Sequence, residues 1–67
     1  MMMSFTKIEL QILNLIAQGL MLDDIASELK ISRHTAKAHI ESIYKKLNVK
    51  NRVQAVVKAI TREIIEV

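Results

Sequence analysis

Apolar residues recur along this chain at helical spacing, and helix start and stop signals punctuate the pattern. Ile8, Ile12, Leu15 and Ile16 fall at three- and four-residue steps, with Leu10, Leu13 and Ala17 widening the stripe. Thr6 and Glu9 bracket its start as a capping box, hydroxyl and carboxylate each accepting from the other residue's free backbone N–H. Gly19 supplies the left-handed stop, so a first helix is predicted over 7–17, with Phe5 placed to staple its start. Ile25, Ala26 and Leu29 form the inner face of a second helix over 22–29, whose first turn carries Asp23 and Asp24 where the helix dipole favours negative charge. After the short link Lys30-Ile31, Ser32 caps a third helix over 33–47, and Asn48 ends it. Asn51 caps a fourth over 52–60, with room to fray toward Ile65. The pattern contains no strand, repeat or linker, which predicts an all-α, four-helix domain spanning residues 1–67.

Composition agrees with that architecture and removes several function classes. There is no proline and one glycine, and the chain is rich in good helix formers. The absence of cysteine excludes disulfides and thiolate metal sites. The apolar runs are far shorter than a bilayer span, and Met1-Met2-Met3-Ser4 lacks a signal peptide's apolar region, so a cytoplasmic location without membrane contact is expected. His34 and His39 stand five apart on different faces of one helix, which offers no metal set. No catalytic constellation is visible, so neither an enzyme nor a cofactor is expected.

Charge changes the picture more. The net charge is only +3, yet residues 30–58 hold Lys30, Arg33, Lys37, Lys45, Lys46, Lys50, Arg52 and Lys58 against Glu41 alone, a local +7. Such a block is either a polyanion-binding face or a solvated lysine surface. On a helical wheel, Ala36, Ile40, Ile43 and Leu47 cluster on one side of the third helix, with His34, Lys37, Ala38, Glu41, Ser42 and Lys45 opposite. Small groups near the bases and cations near phosphates are what a helix entering the major groove requires. On that reading Lys37 donates to guanine, Ala38 meets a thymine methyl, and Glu41 accepts from cytosine or restricts the register. Glu41 pairing with Lys37 or Lys45 is the plain alternative. Ser32 and Thr35 lie at the helix start, where hydroxyls and backbone N–H groups suit a phosphate, His34 joins them on the DNA-facing side, and Lys45 and Lys46 suit phosphates further along. His39 faces the flank of the core.

These residues carry a family resemblance. Thr6 and Glu9, Ala17-Gln18-Gly19, Ile25-Ala26 with Leu29, Ser32 with Thr35, Lys37 with His39, Lys46-Leu47, and Asn51-Arg52 with Ala55 stand in the order and spacing of the LuxR-type (NarL/FixJ, GerE-like) helix-turn-helix domain. The resemblance covers almost the whole chain. It implies a transcriptional regulator whose third helix enters the major groove of double-stranded DNA and whose fourth mediates dimerisation, with RNA polymerase as a further partner. Such domains often follow a receiver or ligand-binding domain and also occur alone. Three departures stand out: Ile8 replaces an arginine, Met21-Leu22 replace a Ser-Asn pair that would cap the second helix and meet a phosphate, and Ala36 replaces a valine.

The fourth helix is apolar over a wider arc than one small core uses. Ala55, Val56 and Ala59 point one way, and Val53, Val57, Ile60 and Ile64 extend to a second face. With Gln54 beside them, Val53, Val57 and Ile60 are the candidate homodimer surface, unless the tail folds back over it. Arg52 is open to two readings, a DNA contact or an internal pair with Glu9. A competing function is a protein-interaction module that binds a partner regulator or RNA polymerase through helix 4 or Leu20-Met21-Leu22, without specific DNA binding.

Overall fold

The computed structural model describes residues 4–65. Met1–Met3, read above as lacking a signal's apolar region, lie outside the described residues, as do Glu66 and Val67. Four helices follow in order: α1 Lys7–Ala17, α2 Leu22–Leu29, α3 Arg33–Leu47 and α4 Arg52–Thr61. No strand occurs among the described residues, and no helix there is long and apolar enough to cross a membrane. The expected helix bounds are met, except that α4 runs one residue further.

Three of the starts have the side-chain caps that the sequence predicts. Thr6 N–H donates to Glu9 Oε1 at 2.9 Å and Glu9 N–H to Thr6 Oγ1 at 3.2 Å, completing the box. Ser32 accepts from Thr35 N–H at 3.0 Å, and Asn51 from Gln54 N–H at 2.9 Å. The start of α2 is the exception, because Met21 has no oxygen to offer. There the Asp24 carboxylate accepts from Met21 N–H at 3.3 Å, half of a capping box.

All four ends close in one way. Gly19, Lys30, Asn48 and Glu63 each have positive φ, at 94°, 57°, 57° and 58°. The amide of the next residue then donates back to the helix, as Leu20 does to Leu15 O, Ile31 to Ala26 O, Val49 to Tyr44 O and Ile64 to Ala59 O. Leu20, Ile31, Val49 and Ile64 are apolar and pack against the core, so each turn satisfies a carbonyl and anchors the next segment. Gly19 and Asn48 were legible as stops. Lys30 was not, since lysine carries no left-handed preference.

Ile12, Leu13, Ile25, Ile43 and Leu47 are the largest fully buried side chains. Ala36, Ala55 and Ala59 are fully buried too, and their size lets the helices approach closely. α1 and α3 each pack on the other three helices. Beyond α4 the chain turns inward and Ile65, 6% exposed, joins the core. The wide apolar face expected on helix 4 is therefore narrower. Ile60 and Ile64 lie half-buried against the core, whereas Val53 and Val57 stay 69% and 57% exposed. Ile60, one of the expected dimer contacts, thus lies at the edge of the core, less open than Val53 and Val57.

The left-handed conformation of Lys30 generates a prediction. A side chain at that φ is strained by about 1 kcal/mol, which glycine relieves at some cost in unfolded-state entropy. Lys30→Gly is expected to stabilise the domain by about 0.5 kcal/mol, read as a higher urea midpoint at unchanged slope. A lower midpoint contradicts the assigned turn.

Candidate nucleic-acid interface

The helix that carries the candidate site is held by its inner face and by one polar clamp. Ala36, Ile43 and Leu47 are buried, while His34, Thr35, Lys37, Ala38, Glu41 and Lys45 are exposed along the opposite side. At the start of α3 the Ser32 hydroxyl donates to Thr35 Oγ1 at 2.8 Å. Its own oxygen is occupied by Thr35 N–H. The Thr35 hydroxyl is exposed beside the unpaired first-turn amides that every helix start offers. The structure brings Ser32, His34, Thr35, Lys37, Ala38, Glu41 and Lys45 onto one open surface. Among the described residues the ion pairs are Arg33–Asp23 and Lys46–Glu9, so Glu41 pairs with neither Lys37 nor Lys45.

Lys46, expected at a phosphate, is instead engaged within the fold. Its ammonium lies 2.6 Å from Glu9 Oε1 and donates to Ser4 O at 2.9 Å, over the Phe5 ring at 5.6 Å. Ser42, placed outward by the wheel, turns instead toward α1 and donates to Glu9 Oε2 at 3.0 Å. One turn of helix separates Ser42 from Lys46, so both reach the same buried carboxylate. Burial alone pushes the Glu9 carboxyl up. The Lys46 ammonium, the Thr6 amide and the Ser42 hydroxyl outweigh that and hold its pKa at about 2.

Arg52 is also structural. Its guanidinium donates to Ile16 O at 3.0 Å and Leu20 O at 2.8 Å, and touches the Met21 sulfur. The last turn of α1 contains no basic residue, and Arg52 supplies that charge from α4. Glu9 belongs to Lys46, so the suggested Arg52–Glu9 pair is replaced by this one.

Between the start of α2 and α3 lies an open groove with Leu20, Ile25 and Ile40 on its walls and Arg33, His34 and Lys37 among its lining residues. Met21 stands 60% exposed beside it. Arg33, absent from the sequence-derived site, is a further candidate: it opens α3, is exposed, and sits 2.8 Å from Asp23. Its position as the first residue of a basic helix was the available signal.

The family model for the bacterial regulatory proteins of the luxR family matches residues 3–59. The chain belongs to that family. It is 45% identical over 62 residues to the uncharacterized transcriptional regulatory protein YxjL of Bacillus subtilis, covering 92% of this chain and 28% of that protein. To the nitrate/nitrite response regulator NarP of Escherichia coli it is 48% identical over 52 residues, covering 78% of this chain and 24% of that one. The luxR-family fold is also that of the response regulator ChrA of a heme-sensing two-component system. The two superpose with a TM-score of 0.91 at 35% identity, over 97% of this chain and 32% of that chain. This chain thus spans about a quarter to a third of each of these three proteins.

The clamp generates a pH prediction. Glu9 is depressed from 4.5 to about 2 in the folded domain, so its contribution is complete above about pH 4.5 and is lost as pH falls toward 2. That contribution is about 3 kcal/mol. Glu9→Gln is expected to be less stable by about that much at neutral pH and to show a flatter stability profile in the acid range. Equal acid sensitivity in the two proteins, measured by urea unfolding across pH, contradicts the clamp.

Proposed function

We propose that this domain is the sequence-specific DNA-binding part of a transcriptional regulator, with the exposed face of α3 in the major groove. The observation that carries the reading is the split of α3 itself. One side is sealed into the core, and the other presents Ser32, His34, Thr35, Lys37, Ala38, Glu41 and Lys45 to solvent on a luxR-family fold. Lys37 and Ala38 lie in the second turn of α3, toward the end that a groove-bound helix presents to base edges, with Glu41 one turn on as acceptor or register filter. Ser32 and Thr35 at the N-terminus and Lys45 toward the other end are placed for phosphates. Lys46 and Arg52 lie outside this assignment because protein groups already hold them.

Selection from a random duplex pool at two salt concentrations tests the reading. Enriched inverted repeats are expected. Lys37→Ala should shift the selected bases at one position, a cost of about 1–3 kcal/mol for the preferred pair. Lys45→Ala should weaken all duplexes alike and lower the salt slope by about 1. The double change Glu9→Gln with Lys46→Met, which removes the buried charge together with its partner, should leave that slope unchanged. Binding without any enrichment, or capture of a partner protein with no duplex shift, would instead support an interaction module.

The proposal extends to a two-fold homodimer through α4. Val53 and Val57 are exposed one turn apart with Gln54 beside them, a small apolar strip with a polar edge. Two copies joined there would present two α3 helices to inverted half-sites about one DNA turn apart, and pairing would raise the effective concentration of the second copy. RNA polymerase is the further protein partner that the family resemblance implies. Val57→Asp is expected to preserve the fold while weakening binding to a two-half-site duplex at least tenfold and leaving single half-site binding within about twofold. An equal loss on both duplexes contradicts a dimer at this face.

A further inference from the structure

We infer that Asp23 restrains Arg33, and that this pair moderates the sequence-independent part of the domain's grip on DNA. The inference rests on the DNA-binding reading above and concerns its regulation. Arg33 is the first residue of α3, and its Nε lies 2.8 Å from Asp23 Oδ1 in the first turn of α2. The pair therefore bridges the two helices directly beside the proposed phosphate-binding start of α3. His34 and Lys37, its neighbours in the same groove, take part in neither ion pair of the described residues.

Pairing changes what this corner of the surface offers a polyanion. Free, Arg33 adds one cation with a planar fork suited to a phosphate. Held, it presents no net charge, and an approaching strand meets the Asp23 carboxylate as well. DNA must then displace the carboxylate or tolerate it, and either way one counterion release is forfeited. Both side chains are largely exposed, at 71% and 77%. An ion pair this solvated is weak and opens readily, so it moderates binding instead of blocking it. Base-facing Lys37, Ala38 and Glu41 are further along α3 and take part in neither ion pair, so the effect falls on backbone affinity for every sequence alike.

The test uses a mixed-sequence duplex of about 20 base pairs, with affinity followed by fluorescence anisotropy from 50 to 200 mM salt. Wild type should bind weakly and salt-sensitively. Asp23→Asn should bind several-fold tighter at the low-salt end, with the log–log slope steeper by about 0.9, which adds a three- to fourfold loss across that range. In the Arg33→Gln background the same Asp23→Asn change should produce no steepening. An identical shift in both backgrounds means that only bulk charge matters and overturns the inference, as does an unchanged slope with Arg33 present. If neither wild type nor Asp23→Asn binds at any salt, the DNA-binding reading itself falls and takes this inference with it.

Discussion

The Glu9 carboxylate is the point on which the arrangement of this domain turns. It sits almost fully buried at the start of α1, yet it accepts from Thr6 N–H, Ser42 Oγ and Lys46 Nζ together. A carboxylate out of water is costly unless each oxygen is satisfied, and here both are. Two of its three partners lie on α3, one turn apart, so the clamp resists rotation of α3 about its own axis. That rotation decides which residues face outward. With Ser42 and Lys46 drawn toward α1, the row from His34 to Lys45 is turned to solvent. In a domain this small, where the margin of stability is generally narrow, one buried clamp carries a large share of orientational order.

The eight cations of residues 30–58 overstate the charge available to a partner. Lys46 is neutralised by Glu9, Arg52 is engaged with the Ile16 and Leu20 carbonyls, and Arg33 is paired with Asp23. What distinguishes the cations is geometry, since a lysine facing Glu9 and one facing solvent look identical in a count. The open cations of α3 itself are Lys37 and Lys45, with His34 beside them. The surface is consequently less basic than its composition suggests, and the proposed reading of DNA therefore rests on a few placed side chains more than on bulk charge.

Local physics was legible in the chain, and long-range pairing was not. Caps at Thr6, Ser32 and Asn51 and stops at Gly19 and Asn48 depend on neighbours within a few residues, so periodicity and turn chemistry located all four helices. Lys30 escaped because its left-handed turn is imposed by the packing of Ile31, not by lysine's own preference. The destination of Lys46 depends on a residue 37 positions away, and a helical wheel has no means of showing that. Ser42 was turned outward on the wheel by the same blindness, since it treats polarity as a sign of exposure. The return of Ile65 into the core likewise requires knowing where α4 ends. The exposed row of α3 was read well because it is the complement of an apolar stripe visible in the sequence.

The central claim is that one face of α3 meets DNA while the cations behind it hold the fold. Titrating the labelled domain with a mixed-sequence duplex and following backbone and lysine-ammonium NMR signals tests this most directly. Perturbations concentrated on Ser32, His34, Thr35, Lys37, Ala38, Glu41 and Lys45, with the Lys46 ammonium unmoved and still coupled to Glu9, are the predicted result. Perturbations centred on Val53 and Val57, or a Lys46 signal that shifts with the duplex as Lys45 does, would contradict the account.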